Sequence, residues 1–426
     1  MPSPRRAGAP AALLDRAVEL VGRVLRFAEP ADAVVAAFFR EHRSLGARDR
    51  QAIADTVYAV LRRLGLYRHL AASGTGTLER RLTLLGWQGS EGSRAASLVP
   101  GEADWLRACE RIDPASLPEP ARHNLPEWIA APVRQSLGSE FAAWVESTEA
   151  AAPLDLRVNV LNARRDDAIE RLRQEGVQAV PTPWSPLGLR VPGKPSLQRS
   201  EAFARGIVEV QDEGSQLLAL LVGARRGETV VDFCAGAGGK TLAIGAQMRS
   251  TGRLYAFDVS AHRLAQIEPR LARSGLSNVH PTRIAHERDE RVTRLDGKVD
   301  RVLVDAPCSG TGTLRRHPDL KWRHTPALLE ELGPRQRSIL AAAAQLVKAG
   351  GRLVYATCSV LEAENEAVAH DFDARFESSF ERIPMLELLQ RAQVEKSEAL
   401  VSGSDLRLWT HRHGTDCFFA AAWRRR

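Results

Sequence analysis

The sequence predicts an α/β protein, in which a doubly wound, mainly parallel sheet follows a small α+β module and an all-α N-terminal domain. From Glu209 onward, strand-like runs alternate with Ala-rich helical runs, an alternation typical of doubly wound sheets. A strand–helix–strand pattern lies within residues 126–205, and helical spacing of apolar residues marks residues 11–72. We therefore predict three domains, over residues 1–125, 126–205 and 206–426.

Length and composition agree with several folded domains. A chain of 426 residues exceeds one ordinary core, so two or three domains are expected. Its 44% hydrophobic and 26% charged residues exclude a disordered chain. The 59 Lys and Arg against 52 Asp and Glu leave a net charge of +7. This basic surplus suits a polyanionic partner.

The cysteines favour neither a zinc site nor a disulfide framework. The chain contains five, none in a CxxC pair: Cys109, Cys234, Cys308, Cys358 and Cys417. We therefore expect no metal. The N-terminus has no apolar leader, and no apolar run reaches membrane length. We expect a cytoplasmic protein that does not bind membranes, and the sequence does not predict its oligomeric state.

The N-terminal domain is predicted from three helical runs. Apolar residues recur three and four positions apart in residues 13–25, Ala33–Phe39 and Gln51–Leu66, which gives each run one buried stripe. Between residues 74 and 120, Gly, Ser, Pro and charged residues dilute this pattern. That stretch is compatible with weaker helices or a loose connector.

The α+β module is predicted from alternating apolar residues around one helical run. Leu154–Val160 reads as a strand, Arg165–Glu175 as a helix, and Gln178–Val180 and Leu187–Val191 as short strands. A unit of this size is compatible with a small RNA-recognition module.

In the C-terminal domain, strands are predicted at Thr229–Asp232, Arg253–Asp258, Val299–Asp305 and Arg352–Thr357, with a long helix at Pro326–Val347. The first strand ends in the glycine-rich run Cys234–Thr241. Glycines allow the backbone to approach a ligand closely, and the following helix N-terminus favours a carboxylate. Asp258 ends the next strand, where an acid can bind ribose hydroxyls. NAD enzymes and methyltransferases share this pattern, and a tight turn without a ligand has it too.

Two cysteine motifs follow two further strands. Asp305-Ala306-Pro307-Cys308 comes after one strand, and Ala356-Thr357-Cys358-Ser359 after the other. Strand ends in such sheets open onto the ligand crevice, so both cysteines should face one pocket. Taken singly, each is more often a buried structural thiol.

These motifs together resemble the RNA cytosine-5 methyltransferases of the Sun/RsmB type. The resemblance covers about residues 155–426 and rests on Gln211–Gln216, the glycine loop, Asp305–Gly312, Arg315–Trp322, Ala356–Ser359 and Glu362–Glu366. It implies a class I S-adenosylmethionine-dependent methyltransferase with a Rossmann-like sheet. Leu45–Arg50 and Val60–Arg62 resemble the NusB-like helical domain that precedes some bacterial rRNA methyltransferases. A helical bundle that serves only for packing is the alternative there.

The resemblance also implies roles for individual residues. Cys358 would attack carbon 6 of cytosine, Cys308 would release the product, and Asp305 would hydrogen-bond the base. Lys321 would hold a phosphate or lower a thiol pKa, unless it is an ordinary exposed loop lysine. The expected cofactor-binding residues are Cys234, Ala235, Gly236, Ala237, Gly238, Gly239, Lys240, Asp258, Arg263 and Asp305.

The chain departs from the family pattern at three places. Ala237 replaces a proline of the glycine loop, and Cys417 stands where the family prefers glycine, so we expect Cys417 to be a small core residue. The acid that normally follows the third strand is missing near His286. Glu287 and Asp289 are the candidates to replace it beside the adenine.

The preferred interpretation is an RNA 5-methylcytosine enzyme that acts on rRNA of the small-subunit type. A tRNA substrate is the alternative with the same chemistry. A non-catalytic RNA-binding assembly factor would keep the fold without the reaction, but the intact cysteine motifs argue against it. The cysteine pair also argues against an NAD-dependent dehydrogenase. The sequence does not identify the target cytosine.

Overall fold

The computed structural model describes residues 9–193 and 195–426, which fall into two units. The first comprises residues 1–151 together with Leu314–Thr325, and the second Ala152–Thr313 together with Pro326–Arg426. The helical unit therefore runs beyond residue 125 and includes a segment that lies far along the sequence. Within the described ranges, no helix is long and apolar enough to cross a membrane.

The first unit is all-helical over its described residues, as predicted. Its core buries Leu14, Leu20, Phe38, Ile53 and Leu61 from the predicted apolar stripes. The helices are Ala9–Val24, Ala31–Glu41, Ala47–Arg62, Leu64–Ala71, Leu78–Leu85, Glu91–Ala95, Glu102–Glu110, Glu119–His123, Glu127–Leu137, Phe141–Glu149 and Leu320–Arg323.

One detail of this unit differs from the sequence prediction, and a second decides between two alternatives. The run Gln51–Leu66 is broken at Arg63, whose φ of −113° and ψ of 26° leave the helical region. The stretch from 74 to 120, which was compatible with weaker helices or a loose connector, contains regular helices. Two of them begin where Thr77 and Ser90 accept hydrogen bonds from backbone amides. A single capping residue is a weak predictor of a helix in a stretch rich in glycine.

The second unit begins with a four-stranded antiparallel sheet. Its strands are β1 (Leu154–Val158), β2 (Val180–Pro181), β3 (Gly188–Val191) and β4 (Val208–Val210), in the order β2-β3-β1-β4. Helices Arg165–Gln174 and Glu201–Ala204 complete the module. β4 lies beyond residue 205, and it belongs here because Val208–Val210 pairs antiparallel with Leu156–Val158.

The larger sheet has nine strands. The strands are β5 (Thr229–Phe233), β6 (Arg253–Asp258), β7 (Val279–Arg283), β8 (Val299–Asp305), β9 (Val347–Thr357), β10 (Phe380–Ile383), β11 (Val401–Ser402), β12 (Asp405–Leu408) and β13 (Phe418–Arg425). Five of them form the parallel order β7-β6-β5-β8-β9. The doubly wound parallel sheet is confirmed, and β5 lies at its centre.

The C-terminal strands form an antiparallel edge that the sequence did not predict. β13 pairs antiparallel with β9, and β12 and β10 pair with β13. β13 contains Ala420–Ala422, a run without the polar and apolar alternation that identifies a half-buried strand. All three alanines are fully buried because helices cover the sheet.

Helices flank the larger sheet, and the longest confirms the helix predicted at Pro326–Val347. The helices of this part are Glu213–Val222, Gly239–Gln247, Ala261–Ala265, Ile267–Ser274, Glu290–Thr293, Pro326–Leu346, Glu366–Phe376, Met385–Arg391 and Thr410–His413.

Candidate active site

The two cysteine motifs lie side by side at the carboxyl ends of the parallel strands. β8 and β9 are adjacent and parallel, with Asp305 in register with Ala356. Cys308 follows the end of β8 and Cys358 follows the end of β9, so both lie at carboxyl ends of neighbouring strands. The topology therefore brings together the three residues that the sequence predicted to be catalytic.

The two sulfur atoms are in direct contact. Sγ of Cys308 lies 3.4 Å from Sγ of Cys358, and neither cysteine is fully buried. The hydrogen bond with Cys358, followed by burial, raises the pKa of Cys308 well above its ordinary value. Cys308 therefore keeps its proton and can donate it to the sulfur of Cys358.

Lys240 and Asp305 form an ion pair beside the cysteines. Nζ of Lys240 lies 2.8 Å from Oδ2 of Asp305 and 5.7 Å from the centre of the Phe418 ring. Burial lowers the pKa of Lys240, but the attraction and hydrogen bond of Asp305 outweigh it and raise the pKa. Lys240 was predicted to bind the cofactor, and the structure places its charge against a predicted catalytic carboxylate.

Gly312 connects the cysteine loops to the C-terminal strand region. Its amide donates to the carbonyl of Cys358 at 2.8 Å, and its carbonyl accepts from the amide of Cys417 at 2.9 Å. A Cβ at Gly312 would lie 2.3 Å from the carbonyl oxygen of Cys417. Only glycine fits this close approach of three backbones.

The glycine loop adopts the strained geometry that its sequence predicts. Cys234, Gly236 and Gly238 have φ angles of 66°, 58° and 80°. Asp258 is buried, and its carboxylate accepts the amides of Gly236 and Ser260, each at 2.8 Å. The acid that we predicted to bind ribose therefore also fixes the backbone of the loop.

Two arginines hold carbonyl groups of the same loop. Arg270 donates to the carbonyl of Ala237, and Arg157 donates to that of Gly239 at 2.8 Å. Glu209 lies 3.3 Å from Arg270 and 2.7 Å from Arg273. The supports of the loop therefore come from β1, β4 and helix Ile267–Ser274. No motif in the sequence indicated them.

A cavity of about 260 Å³ opens beside this loop. Cys234, Asp258 and Arg263, three of the residues predicted to bind the cofactor, line it. The remaining predicted loop residues, Ala235, Gly236, Ala237, Gly238 and Gly239, form the turn next to it. Glu287, a candidate for the adenine contact, also lines it. The lining residues that the sequence did not predict are Phe233, Val259, Ile284, Ala285, His286, Pro307, Arg335 and Ile339.

Comparison with known proteins agrees with this geometry. A family model described as 16S rRNA methyltransferase RsmB/F matches residues 219–424, and the ferredoxin-like domain model of RsmF/B-like methyltransferases matches residues 125–198. The chain belongs to the RsmB/F methyltransferase family. The resemblance to the Sun/RsmB type and the expected fold class are thereby confirmed.

Individual relatives of the RsmB/F family extend the match. Ribosomal RNA small subunit methyltransferase B of Sodalis glossinidius is 36% identical over 61% of this chain and 60% of that protein. A probable ribosomal RNA small subunit methyltransferase B of Synechocystis is 34% identical over 70% and 66%. The matches thus span 60% to 66% of these relatives. The crystal structure of PH0851 has a TM-score of 0.78, with 25% identity and 99% coverage of both chains.

The RsmB/F pattern normally has an acid near the adenine, and one of the two candidates lies in the cavity. Glu287 lines it and accepts a hydrogen bond from Ser338 at 2.5 Å. Asp289 instead caps helix Glu290–Thr293, and its oxygens accept the amides of Ala285 and Arg291. Glu287 is therefore the candidate that can face an adenine.

Lys321 belongs to the helical unit and not to an exposed loop. It is 2% exposed, and its Nζ donates to the carbonyl of Arg62 at 2.8 Å. Trp322 donates from Nε1 to the carbonyl of Leu61 at 2.7 Å. Because both side chains satisfy the C-terminal carbonyls of helix Ala47–Arg62, we assign Lys321 a structural position.

Glu364 is a further site residue that the sequence prediction did not single out. It is 1% exposed, and its carboxylate accepts hydrogen bonds from Ser309 and Ser359, the residues that follow the two cysteines. Its signal in the sequence was the acidic run Glu362–Glu366 after the second cysteine motif. The run did not tell which acid points inward.

Proposed function

We propose that this protein is an S-adenosylmethionine-dependent RNA (cytosine-5) methyltransferase that acts on small-subunit rRNA. The observation that carries the proposal is the 3.4 Å contact between the sulfur atoms of Cys308 and Cys358. Carbon 5 of cytosine is a poor nucleophile, and covalent addition at carbon 6 makes it reactive. A nucleophilic thiolate with a second thiol against it suits both formation and release of such an adduct.

In the first step, the thiolate of Cys358 adds to carbon 6 and the carbon 5–carbon 6 double bond opens. The electron pair moves toward ring nitrogen 3, where Asp305 can hydrogen-bond a protonated ring or the exocyclic amine. Lys240, paired with Asp305 at 2.8 Å, keeps that carboxylate oriented. The cytosine must first leave its base stack to enter the site.

When bound, S-adenosylmethionine supplies the methyl group that carbon 5 attacks. Once the sulfur of Cys358 is bonded to carbon 6, it no longer carries the negative charge that helps to raise the pKa of Cys308. Cys308 can then lose its proton to solvent. The Cys308 thiolate takes the proton of carbon 5. The electrons of that C–H bond restore the ring double bond, the C–S bond breaks, and Cys358 leaves as a thiolate.

The residues around the cavity suit an adenosyl ligand. The helix N-terminus after Gly238 favours the carboxylate of the methionine part. Asp258 and Arg263 can hold the ribose, Glu287 can face the adenine, and Cys234 to Lys240 shape the backbone turn. Asp305 ends β8, which lies between β5 with its glycine loop and β9 with Cys358.

We assign RNA recognition to the all-helical unit and to the α+β module that follows it, the domains predicted over residues 1–125 and 126–205. The net charge of +7 suits a phosphate backbone. The names of the relatives, ribosomal RNA small subunit methyltransferase B, favour rRNA over tRNA.

The test is methyl transfer from labelled S-adenosylmethionine to small-subunit rRNA and to tRNA, with bisulfite sequencing of the products. We expect 5-methylcytosine in the rRNA with the wild type and none with Cys358→Ala. Cys109→Ala, at a buried cysteine of the helical unit, is the matched control and should stay active. Methylation of tRNA alone would overturn the substrate, and RNA binding without any transfer would indicate an assembly factor.

A further inference from the structure

We propose that Glu364 is the positioning residue that holds the loops of Cys308 and Cys358 at their reactive separation. The inference rests on the proposed function for its catalytic meaning. Its structural basis is a single buried carboxylate that both cysteine loops share. Glu364 touches neither sulfur, so it would act through the residues that follow them.

Four donors converge on this carboxylate. Oε2 accepts the hydroxyls of Ser309 and Ser359, each at 2.5 Å. Oε1 accepts the amide of Ser309 at 2.8 Å and Nε2 of Gln336 at 3.1 Å. Within residues 9–193 and 195–426, no lysine or arginine forms an ion pair with it. Neutral donors alone therefore solvate a buried charge, and each is needed.

The two serine donors are the sequence neighbours of the two cysteines. Ser309 directly follows Cys308, and Ser359 directly follows Cys358. Since both hydroxyls bind the same oxygen, neither loop can move without breaking one of these bonds. The two serine hydroxyls are themselves 3.3 Å apart, nearly the separation of the two sulfur atoms.

The helix behind the site anchors the carboxylate. Gln336, on helix Pro326–Leu346, also donates to the carbonyl of Pro307, the residue before Cys308, at 2.9 Å. The hydroxyl of Tyr355 donates to the backbone carbonyl of Glu364 at 2.6 Å. Glu364 is thus held from both sides, which lets it act as a fixed reference for the two loops.

A carboxylate is required because all four neighbours donate. In Glu364→Gln, the amide NH₂ would face either the two serine hydroxyls or the Ser309 amide and Gln336. The second orientation loses both contacts, and the first requires both serine hydroxyls to turn from donors into acceptors. The negative charge that opposes ionisation of Cys308 would also disappear, so the Cys308 thiol should ionise at lower pH.

The experiment measures alkylation of each cysteine by iodoacetamide between about pH 6 and 10, a range that spans the ordinary thiol pKa, using mass spectrometry on the folded, full-length protein. In Glu364→Gln, we expect the Cys308 profile to move to lower pH. The methylation kcat should fall at least about tenfold, because misplaced reacting groups lose rate steeply. KM for S-adenosylmethionine should stay unchanged. Glu366→Gln is the matched control, since Glu366 pairs with Arg407 at 3.5 Å and touches neither serine.

Ser359→Ala provides a milder variant if Glu364→Gln does not fold. It should lower kcat in the wild-type background and add little when combined with Glu364→Gln. A lower melting temperature with unchanged alkylation profile and kcat would mean that Glu364 only supports the core, and would overturn the proposal. The alkylation assay needs no RNA. A wild type that fails to methylate cytosine would therefore overturn the proposed function and leave this comparison decisive on its own.

Discussion

Nζ of Lys240 and Oδ2 of Asp305 lie 2.8 Å apart, although Lys240 lies on helix Gly239–Gln247 and Asp305 ends β8. Burial alone would favour a neutral lysine, so Asp305 is what keeps Lys240 charged. Lys240 should therefore keep its charge as the pH rises to its ordinary pKa and above it.

Asp305→Asn should therefore lower the pKa of Lys240, because burial then acts without the compensating charge. Titration of ¹⁵Nζ signals by NMR measures this directly. Asp300→Asn, which removes the carboxylate paired with Lys348, is the matched control and should leave Lys240 unchanged. An unshifted Lys240 in Asp305→Asn would show that another group supports its charge.

Arg270→Ala should weaken S-adenosylmethionine binding about fivefold, the net value of roughly one hydrogen bond of about 1 kcal/mol. The reason is that Arg270 holds the carbonyl of Ala237, where the family has a rigid proline. Calorimetry measures the affinity. Arg273→Ala is the control, since it also pairs with Glu209 but does not bond the loop.

Ala237→Pro should restore affinity to the Arg270→Ala protein, because proline fixes the backbone without an external bond. The amide of Ala237 donates no hydrogen bond within the described residues, so proline removes none. If the double variant Arg270→Ala, Ala237→Pro folds but still binds the cofactor as weakly as Arg270→Ala alone, the rigidity argument is wrong.

Cys308→Ala should trap the RNA on the enzyme. Cys358 can still attack and methylation can still occur, but nothing takes the proton of carbon 5, so the C–S bond remains. A denaturing gel should show a slow band that disappears in the Cys308/Cys358 double variant. If Cys308 only packs, the single variant should turn over normally and give no band.

The contribution of Lys321 to the free energy of unfolding should become more favourable as the pH rises from about 7 toward 10. Burial lowers its pKa from 10.5 to about 7. Between those two values, the unfolded state binds a proton that the folded state does not. The free energy of unfolding of the wild type, minus that of Lys321→Met, should therefore rise by up to about 1.4 kcal/mol per pH unit. Urea unfolding at several pH values measures it.

Lys348→Met is the control for this pH dependence, since the Lys348 side chain is 49% exposed. An equal pH slope in Lys321→Met and wild type would contradict the prediction.

The contacts of Lys321 and Trp322 with helix Ala47–Arg62 argue against deletion of residues 1–120 as a test of RNA binding. That deletion would remove the helix whose carbonyls Lys321 and Trp322 satisfy, so a loss of binding would not be specific.

Local sequence patterns predicted four of the five parallel strands, their carboxyl ends and the meeting of Cys308 with Cys358, but not β7. Apolar strands, glycine turns and cysteine motifs are all local, and parallel strands place their carboxyl ends at one edge. The C-terminal strands escaped prediction because a fully buried strand such as β13 shows no alternation.

The polar residues that support the site emerged only from the packing of the folded chain. Arg157 and Arg270 reach the glycine loop from distant elements, and Glu364 alone of its acidic run points inward between the cysteine loops. Lys321, which looks like a candidate loop cation in the sequence, is buried against the end of a helix. A side chain's partners depend on packing between elements far apart in sequence, which neither spacing nor periodicity encodes.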